Sequence, residues 1–273
     1  MQPAKKTAAS RFAQKHLGQN FLQDPQYLEK ILESVGDITG TRVLEIGPGL
    51  GALTSPLLEA GALLTAVEYD ERAVRLLQER WGSHPQLQLV HGDALDFTPQ
   101  DVWGEHPYEI IANIPYNITN PLLKRYLSGL QHPPYRLTLM VQREVAEKIT
   151  LQRKHAGRRS ILSISVEVYA ESRLLFLVPR EAFDPIPGVD SAVVQLTRRP
   201  TPLVAAADER DFFSLVHAGF SQKRKKLHNV LGSYFGRDSA AILGPIDGNL
   251  RAETLTIADW HTLLHSARQA GVF

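Results

Sequence analysis

The chain has 273 residues, 43% of them apolar, a formal net charge of +1 and no cysteine. This length suits one large domain, or a domain of about 200 residues with a small appendage, and the lack of cysteine excludes disulfides, thiolate metal sites and a cysteine nucleophile. The lack of cysteine also favours a reducing, cytoplasmic setting. No apolar run approaches the roughly 18 residues of a membrane span, so we expect no membrane contact, and we expect no bound metal.

The basic residues are concentrated in three clusters, so the near-neutral total does not exclude a nucleic acid partner. The clusters are Lys5, Lys6, Arg11 and Lys15; Lys148, Arg153, Lys154, Arg158 and Arg159; and Lys223, Arg224, Lys225 and Lys226. Each cluster can either follow a phosphate backbone or form an ordinary solvated face.

The first 24 residues are predicted to form a basic N-terminal arm. The lack of acids before Asp24 also fits an organelle transit peptide, but residues 16–22 combine amides with apolar anchors that a removable peptide does not require. Asp24 followed by Pro25 is typical of a helix N-cap and first turn. Apolar residues then recur at helical spacing as far as Val35, and Gly36 is expected to end this helix.

A strand, a glycine-rich turn and a helix come next, and this order is typical of a cofactor site. The strand covers Arg42–Ile46, and glycines at positions 47, 49 and 51 would let the backbone approach a ligand closely. The second strand ends at Glu68, about 20 residues beyond the first glycine, where an acid often binds a ribose diol. The turn also fits a nicotinamide fingerprint, and a tight turn with no ligand stays possible.

Two further strands end in polar residues. The third strand, residues 87–90, is followed by Asp93, which can instead cap a turn. The strand at residues 109–112 runs into Asn113. Ligands of open α/β sheets bind beyond the carboxyl ends of the strands, so we expect Gly47, Glu68, Asp93 and Asn113 to face one crevice.

The turn Asn113-Ile114-Pro115-Tyr116 can bind a planar amino group. The Asn113 side-chain oxygen and the Ile114 carbonyl can accept both hydrogens of an exocyclic amine, while the Tyr116 ring stacks on the base. The alternative is an ordinary strand-to-helix turn, because asparagine and proline are common turn residues.

The remainder of the sheet is predicted from short apolar runs. Strands are predicted over 136–141, 174–178 and 192–196, a helix over 142–151, and either a strand or a helix over 161–169. Prolines stiffen the loop that follows Phe183, so this ring either covers a pocket or plugs a β-connection.

The strand pattern stops at Arg199-Pro200-Thr201-Pro202, where we place a domain boundary. Helical spacing resumes at Asp211 and again after a Thr256 cap. The predicted domains are therefore 1–24, the arm; 25–200, the cofactor-binding domain; and 201–273, a small helical domain.

Several segments together resemble one known family. The Asn113 to Tyr116 turn is similar to the Asn-Pro-Pro-Tyr signature of S-adenosylmethionine-dependent amino methyltransferases, which favours that cofactor over a nicotinamide. With residues 16–22, 45–51 and 183–191, the chain is similar to the KsgA/RsmA family of ribosomal RNA adenine dimethyltransferases. The resemblance begins at about residue 11 and includes residues 220–226 and 251–255.

This resemblance implies an α/β fold, a Rossmann-like class I methyltransferase sheet with a small C-terminal helical domain, in which residues 161–169 are helical. It implies dimethylation of N6 of two adjacent adenosines near the 3′ end of 16S ribosomal RNA by a monomer, on a precursor of the small ribosomal subunit. Two alternatives stay open: an Erm-type 23S ribosomal RNA methyltransferase, which residues 251–255 disfavour, and a non-catalytic RNA-binding assembly factor, for which Asn113 and Tyr116 would be unnecessary.

The resemblance also implies the site residues. Glu68 would hold the ribose hydroxyls and Asp93 the adenine amine of the cofactor, while Tyr116 and Phe183 would hold the target base by stacking. The catalytic candidates are Asn113, Ile114, Tyr116 and Phe183. The cofactor candidates are Asn20, Leu22, Glu45, Gly47, Gly49, Glu68, Asp93 and Asn113. The RNA candidates come from the basic clusters and are Lys15, Arg153, Lys154, Arg158, Lys223, Arg224 and Lys225. Residues 155–159 read His-Ala-Gly-Arg-Arg where the family commonly has a Tyr-Gly-Arg-Leu-like sequence, so the resemblance adds no support for RNA contacts there and Arg158 is a candidate on its charge alone.

Overall fold

A computed structural model describes residues 7–14, 17–151, 158–222, 224–236 and 239–273. The chain divides into two compact units. The first comprises the residues up to Ala146 together with Ser172–Arg198, and the second comprises Glu147–Glu171 with Arg199–Phe273. Within the described residues, none of the helices has the length and apolar character that a membrane crossing needs.

The expected α/β fold is confirmed. The strands of the described chain are β1 (Phe21–Leu22), β2 (Arg42–Ile46), β3 (Leu63–Glu68), β4 (Leu87–His91), β5 (Glu109–Asn113), β6 (Arg136–Gln142), β7 (Ala170–Val178), β8 (Phe183–Asp184) and β9 (Ser191–Arg198). One sheet has the order β4-β3-β2-β5-β6-β9-β7, in which β4 through β6 are parallel and β9 is antiparallel to β6. The short strands β1 and β8 pair separately.

The inner parallel strands β2, β3 and β5 are largely buried, as expected where helices cover both faces of a sheet, whereas the edge strand β4 is not. Val43, Leu44, Ile110 and Ile111 are all fully buried, as near-continuous apolar runs predict for such strands. The helices of this part are α1 (Ala8–Phe12), α2 (Pro25–Val35), α3 (Thr54–Glu59), α4 (Glu71–Trp81), α5 (Gln100–Trp103), α6 (Thr119–Ser128) and α7 (Arg143–Ile149).

The predicted limits of α2 are confirmed. The Asp24 side chain accepts a hydrogen bond from the Gln26 N–H at 3.0 Å, and Pro25 occupies the first turn. Gly36 follows the helix with a φ of 75°, which a residue with a Cβ rarely adopts. Local capping signals alone therefore define this helix.

The second unit is helical. Its helices in the described residues are α8 (Ile161–Tyr169), α9 (Glu209–Phe220), α10 (Leu227–Phe235), α11 (Ser239–Leu243) and α12 (Ile257–Gln269). Thr256 caps α12 as predicted, through a capping box with Asp259. Trp260 of α12 is fully buried, with its ring centroid 6.2 Å from that of Phe220.

Residues 161–169, whose apolar spacing fits both a strand and a helix, are helical. Ser160 accepts from the Ser163 N–H at 3.2 Å, and the Ser163 hydroxyl receives the Ser160 N–H at 2.7 Å. This capping box stabilises the first helical turn. It favours a helix over a strand in a segment whose apolar periodicity fits both.

The compact units do not coincide with the predicted domains. Helix α8 belongs to the second unit because it packs on α9, where the rings of Tyr169 and Phe213 stack with centroids 6.3 Å apart. The described part of the N-terminal arm belongs to the first unit, because Phe21 and Leu22 pair with β8. Neither of these long-range contacts is visible as a change in amino-acid composition along the chain, which is the signal that predicts the domain boundary.

Candidate active site

One cavity of about 320 Å³ lies at the carboxyl ends of the parallel strands. Gly47, Glu68, Asp93 and Asn113 all line it, so the structure brings together the strand-end residues that topology predicts. Its volume falls in the range of about 300–1,000 Å³ that is usual for small-molecule sites.

The glycine turn forms one wall of the cavity. Gly47 and Gly49 have φ angles of 67° and 58°, in the left-handed region. A Cβ built on Gly49 would lie 2.7 Å from the Phe21 ring, too close for any real contact. The Gly49 N–H donates to Glu68 Oε2 at 2.9 Å, which ties the turn to the neighbouring strand. Position 49 therefore requires glycine both for its conformation and for the space beside it.

Backbone N–H groups donate hydrogen bonds to both carboxylate oxygens of Glu68. In addition to the Gly49 N–H, the Asp70 N–H donates to Oε1 at 2.8 Å. The side chain is buried, and burial raises the pKa of Glu68 although these backbone hydrogen bonds lower it in part. Each oxygen retains a second lone pair, so the carboxylate can accept two ligand hydroxyls without moving.

Glu45 is a second buried acid of the cavity. It is 1% exposed, and Oε2 accepts a hydrogen bond from the Thr54 hydroxyl at 2.8 Å. Burial, reinforced by the nearby charge of Glu68, raises the pKa of Glu45 to about 8. Glu45 is therefore largely protonated at neutral pH and can donate a hydrogen bond as well as accept one.

Asp93 combines the two roles that its sequence context allows. Oδ1 accepts from the Leu95 N–H at 2.8 Å, which caps the turn after β4, while the residue also lines the cavity. The cap fixes the carboxylate, and Oδ2 is the oxygen that can accept from a ligand amine.

The N-terminal segment closes one side of the cavity. The Asn20 carbonyl accepts from Asn113 Nδ2 at 3.4 Å, and Asn20 Nδ2 donates to the Gly18 carbonyl at 3.1 Å. Leu22 is buried and also lines the cavity. With its nitrogen directed at Asn20, the Asn113 amide presents its oxygen as the end that can accept from a ligand.

The Asn113 to Tyr116 turn is fixed at both ends. The Ile114 N–H donates to the Met140 carbonyl at 3.3 Å, and the Ile114 side chain is 1% exposed. The Tyr116 hydroxyl lies 2.7 Å from the Ser191 hydroxyl, and burial raises the pKa of Tyr116. Tyr116 is therefore a neutral phenol at physiological pH, with its ring at the wall of the cavity.

Phe183 is buried in the apolar packing of β8. It is 2% exposed, does not line the cavity, and packs in an apolar cluster with Leu22, its partner in the β1–β8 pair. This position fits the plug that the sequence leaves as one alternative. Stacking of the ring on a target base stays a prediction.

Sequence reasoning missed several residues of the cavity region. Gln19 donates from Nε2 to Asp70 Oδ2 at 3.0 Å, Tyr69 lines the cavity at 62% exposure, and Ser191 binds Tyr116. Tyr69 and Asp70 follow Glu68 directly, so the strand-end rule could have included them. Gln19 and Ser191 lie in the segments 16–22 and 183–191 that carry the family resemblance, but no local signal indicates their partners, which lie far along the chain.

The RNA candidates stay predictions. Lys15, Arg153, Lys154 and Lys223 lie outside the described residues, whereas Arg158, Arg224 and Lys225 are exposed. Arg159 is not an isolated positive charge, because Nε and Nη2 pair with the Glu167 carboxylate at 2.8 and 3.1 Å. In the described ranges no group of His, Cys, Asp and Glu side chains is arranged to hold a metal ion.

The cavity, taken together, offers mainly acceptors. These acceptors are the carboxylates of Glu68 and Asp93, the Asn113 side-chain oxygen and backbone carbonyls of the turns. A ligand that complements them carries hydroxyls, an amine or a positive charge. The second half of the cavity, at Tyr116, offers a ring beside an amide acceptor, which suits a planar base with an amino group.

Comparison with known proteins agrees with this chemistry. The family model described as ribosomal RNA adenine dimethylase matches residues 11–269. "Ribosomal RNA small subunit methyltransferase A" of Dehalococcoides mccartyi strain CBDB1 is 37% identical over 257 residues, covering 92% of this chain and 87% of that protein. The protein of the same name from Streptococcus thermophilus LMG 18311 is 36% identical over 271 residues, covering 94% and 93%.

Solved structures show the same architecture. A dimethyladenosine transferase from Plasmodium falciparum aligns with a TM-score of 0.74 and 25% identity, covering 92% of this chain and 98% of that one. The 23S rRNA methyltransferase ErmE aligns with a TM-score of 0.70 and 28% identity, covering 91% and 100%.

Proposed function

The chain belongs to the ribosomal RNA adenine dimethylase family, and from this premise we propose that it dimethylates N6 of two adjacent adenosines near the 3′ end of 16S ribosomal RNA. The observation that carries the proposal is the cavity itself, which joins an acceptor-rich cofactor half to the Asn113 to Tyr116 turn. The enzyme is an RNA adenine methyltransferase, and its cofactor is S-adenosylmethionine.

The residues of the cavity fit this cofactor. The Glu68 carboxylate is fixed by two backbone N–H groups and suits the two ribose hydroxyls, while Asp93 suits the adenine amine. Gly47 and Gly49 adopt left-handed φ angles and both line the cavity, so the backbone of the turn is accessible to a ligand that lies along it. Bound here, S-adenosylmethionine supplies a methyl group on a positively charged sulfonium, a strong electrophile that the surrounding acids and carbonyls accommodate.

The chain's own contribution to transfer is geometric. An adenine N6 amine is a poor nucleophile because its lone pair is delocalised into the ring. Accepting its hydrogens on Asn113 Oδ1 and the Ile114 carbonyl favours a tetrahedral nitrogen whose lone pair is directed at the methyl group. The Asn20 carbonyl and the Met140 carbonyl hold these two acceptors in place. No histidine general base is required.

The target base has to leave the RNA stack to reach Asn113. The ring of Tyr116 lies at the cavity wall and supports the base by stacking. We place the RNA backbone on the exposed basic residues Arg158, Arg224 and Lys225, and we propose a precursor of the small ribosomal subunit as the partner and a monomer as the acting form.

The likeness to ErmE gives a second candidate, N6 methylation of 23S ribosomal RNA. Relatives that are 36–37% identical and carry the name small subunit methyltransferase favour 16S ribosomal RNA over it. Both activities use the same cavity, so only the substrate separates them.

The test supplies purified protein with S-adenosylmethionine and either 16S RNA within small-subunit particles or 23S RNA, both from cells that lack the activity. Dimethyladenosine is then mapped by mass spectrometry. We expect adjacent dimethylated adenosines in 16S RNA only. Asn113→Ala should abolish both transfers, since it removes an acceptor worth about 1–3 kcal/mol and misplaces the base. Asn120→Ala, an exposed asparagine on α6 outside the cavity, is the control. Modification confined to 23S RNA, or none, would refute the proposal.

Ile114 is proposed to govern the second transfer. After the first transfer the amine keeps one hydrogen, so the second transfer leaves one of the two acceptors unused and needs room for a methyl group. Ile114→Pro keeps the carbonyl but stiffens the turn and removes the N–H that donates to Met140. We expect dimethyladenosine to form more slowly while monomethyladenosine forms at a near-normal rate. Ile114→Val, which keeps the N–H, is the control, and equal slowing of both steps would contradict this role.

A further inference from the structure

The hydrogen bond between Tyr116 and Ser191 connects the turn proposed to receive the target base to strand β9, two strands away from β5 in the sheet. The two hydroxyl oxygens are 2.7 Å apart, and either can donate. Ser191 is fully buried, whereas Tyr116 is only part-buried and faces the cavity. The shorter side chain is thus enclosed by the protein, and the longer one extends from it toward the ligand.

Ser191 occupies a rigid position. It is the first residue of β9 and pairs with Gln142 of β6 in the antiparallel ladder. The preceding residue, Asp190, accepts the Arg143 N–H on its carbonyl at 3.0 Å, and its carboxylate lies 3.5 Å from the Arg143 guanidinium. Backbone pairing therefore fixes the Cα and the Cβ direction of Ser191, so that its hydroxyl can move only by rotation about one bond.

Tyr116, in contrast, starts a 3₁₀ turn over Tyr116–Ile118 that has no side-chain cap. A single aromatic side chain on such a turn can swing about its Cα–Cβ bond. A hydrogen bond at the far end of the ring, to an atom that belongs to the sheet, restricts this swing. The face of the ring is then set before a base arrives, which lowers the cost of ordering it on binding.

From this geometry we propose that Ser191 is a positioning residue for methyl transfer: through the Tyr116 hydroxyl, it holds the ring that supports the extruded adenine. The inference rests on the proposed function, because it assigns a role in the same reaction. It also assigns the Tyr116 hydroxyl to ring orientation and not to proton transfer, since its partner is a neutral, buried serine hydroxyl.

The test is a double-mutant cycle of Ser191→Ala, Tyr116→Phe and the double variant, measured with the same RNA particles. Each single variant should lower kcat about fivefold to tenfold, as expected for one neutral hydrogen bond. The double variant should be no worse than either single variant, because both remove the same bond. The dissociation constant of S-adenosylmethionine, measured by calorimetry, should be unchanged in all three.

A control separates positioning from general stability. Thr138→Val removes another buried hydroxyl, from the neighbouring strand β6, at a residue outside the cavity. It should lower the melting temperature but leave kcat at the wild-type value. If Ser191→Ala folds poorly, Tyr116→Phe alone still removes the bond without changing β9, and its kcat must fall.

The outcomes are distinct from those of the proposed function. A wild-type protein that modifies no ribosomal RNA overturns the function itself. A wild-type protein that is active, with additive losses in the double variant or with normal kcat in Tyr116→Phe, overturns the role of Ser191 alone. A loss of kcat in Thr138→Val equal to that in Ser191→Ala would also overturn it, because the effect would then be one of fold stability.

Discussion

Replacing Glu45 with glutamine should make the stability of the cofactor-free protein much less dependent on pH. The folded protein raises the pKa of this carboxyl from its ordinary value of 4.5 to about 8. Between these two values the folded state binds one proton more than the unfolded chain, so the free energy of unfolding falls as pH rises. The stabilisation is complete below the unfolded pKa and is lost as pH passes through the folded one.

The size of the effect follows from the same two pKa values. Each pH unit inside this window costs about 1.4 kcal/mol, and from pH 6 to pH 8 the contribution of Glu45 falls by about 2 kcal/mol, because the slope flattens near the folded pKa. Glutamine does not titrate, yet its carbonyl can still accept from the Thr54 hydroxyl that now bonds to Glu45 at 2.8 Å.

Urea unfolding at pH 6, 7 and 8, with matched ionic strength, measures how the free energy of unfolding depends on pH. The stability difference between wild type and Glu45→Gln should change by about 2 kcal/mol across the range, in the direction that favours the variant at high pH. Glu59→Gln, which neutralises an exposed carboxylate on α3, gives the charge-matched control and should keep the wild-type slope. Parallel pH profiles for wild type and Glu45→Gln would refute the assignment of a protonated, buried Glu45.

Three further predictions concern cofactor and RNA. Glu68→Ala should weaken S-adenosylmethionine binding about 10- to 100-fold by calorimetry, because it removes charge-assisted hydrogen bonds; an unchanged affinity would exclude Glu68 from the cofactor site. Gly49→Ala should destabilise the fold by about 1–3 kcal/mol and also impair cofactor binding, whereas Gly40→Ala, with a similar φ of 67° but open space, should leave cofactor binding intact. Replacing Arg224 and Lys225 with Ala should weaken RNA binding and reduce its salt slope by about one per charge, and an unaltered slope would count against an RNA contact there.

The part of the site that the sequence predicts is the part that topology alone determines. The carboxyl ends of parallel strands lie at the same edge of a sheet. The strand pattern alone therefore predicts that Gly47, Glu68 and Asn113 lie close together, and all three line the cavity. The chemical assignment of Asn113 came instead from the resemblance of its turn to a known signature. Capping residues predicted both ends of α2 and the start of α12 for an equally local reason.

Contacts between distant segments were beyond this reasoning. The sequence leaves Phe183 either over a pocket or as a plug in a β-connection, and its position depends on the pairing of β8 with β1, about 160 residues earlier in the chain. The same limit applies to Arg159, which sequence places in a basic cluster and the fold pairs with Glu167. A charge run therefore overstates the free positive charge wherever a helix brings an acid back to it.

The turn from Asn113 to Tyr116 also depends on residues that are distant in sequence. It carries the groups proposed to act in methyl transfer, but the orientation of its Asn113 and Tyr116 side chains is set by partners in other segments. Asn113 is directed by the carbonyl of Asn20, 93 residues away in sequence, and Tyr116 by the hydroxyl of Ser191, 75 residues away. A turn with the same four residues, placed in a sheet that lacks these two partners, would leave the amide free to flip and the ring free to swing. Under the proposed mechanism, the signature identifies where transfer takes place, while Asn20 before β1 and Ser191 at the start of β9 hold its two side chains in the orientation that transfer needs.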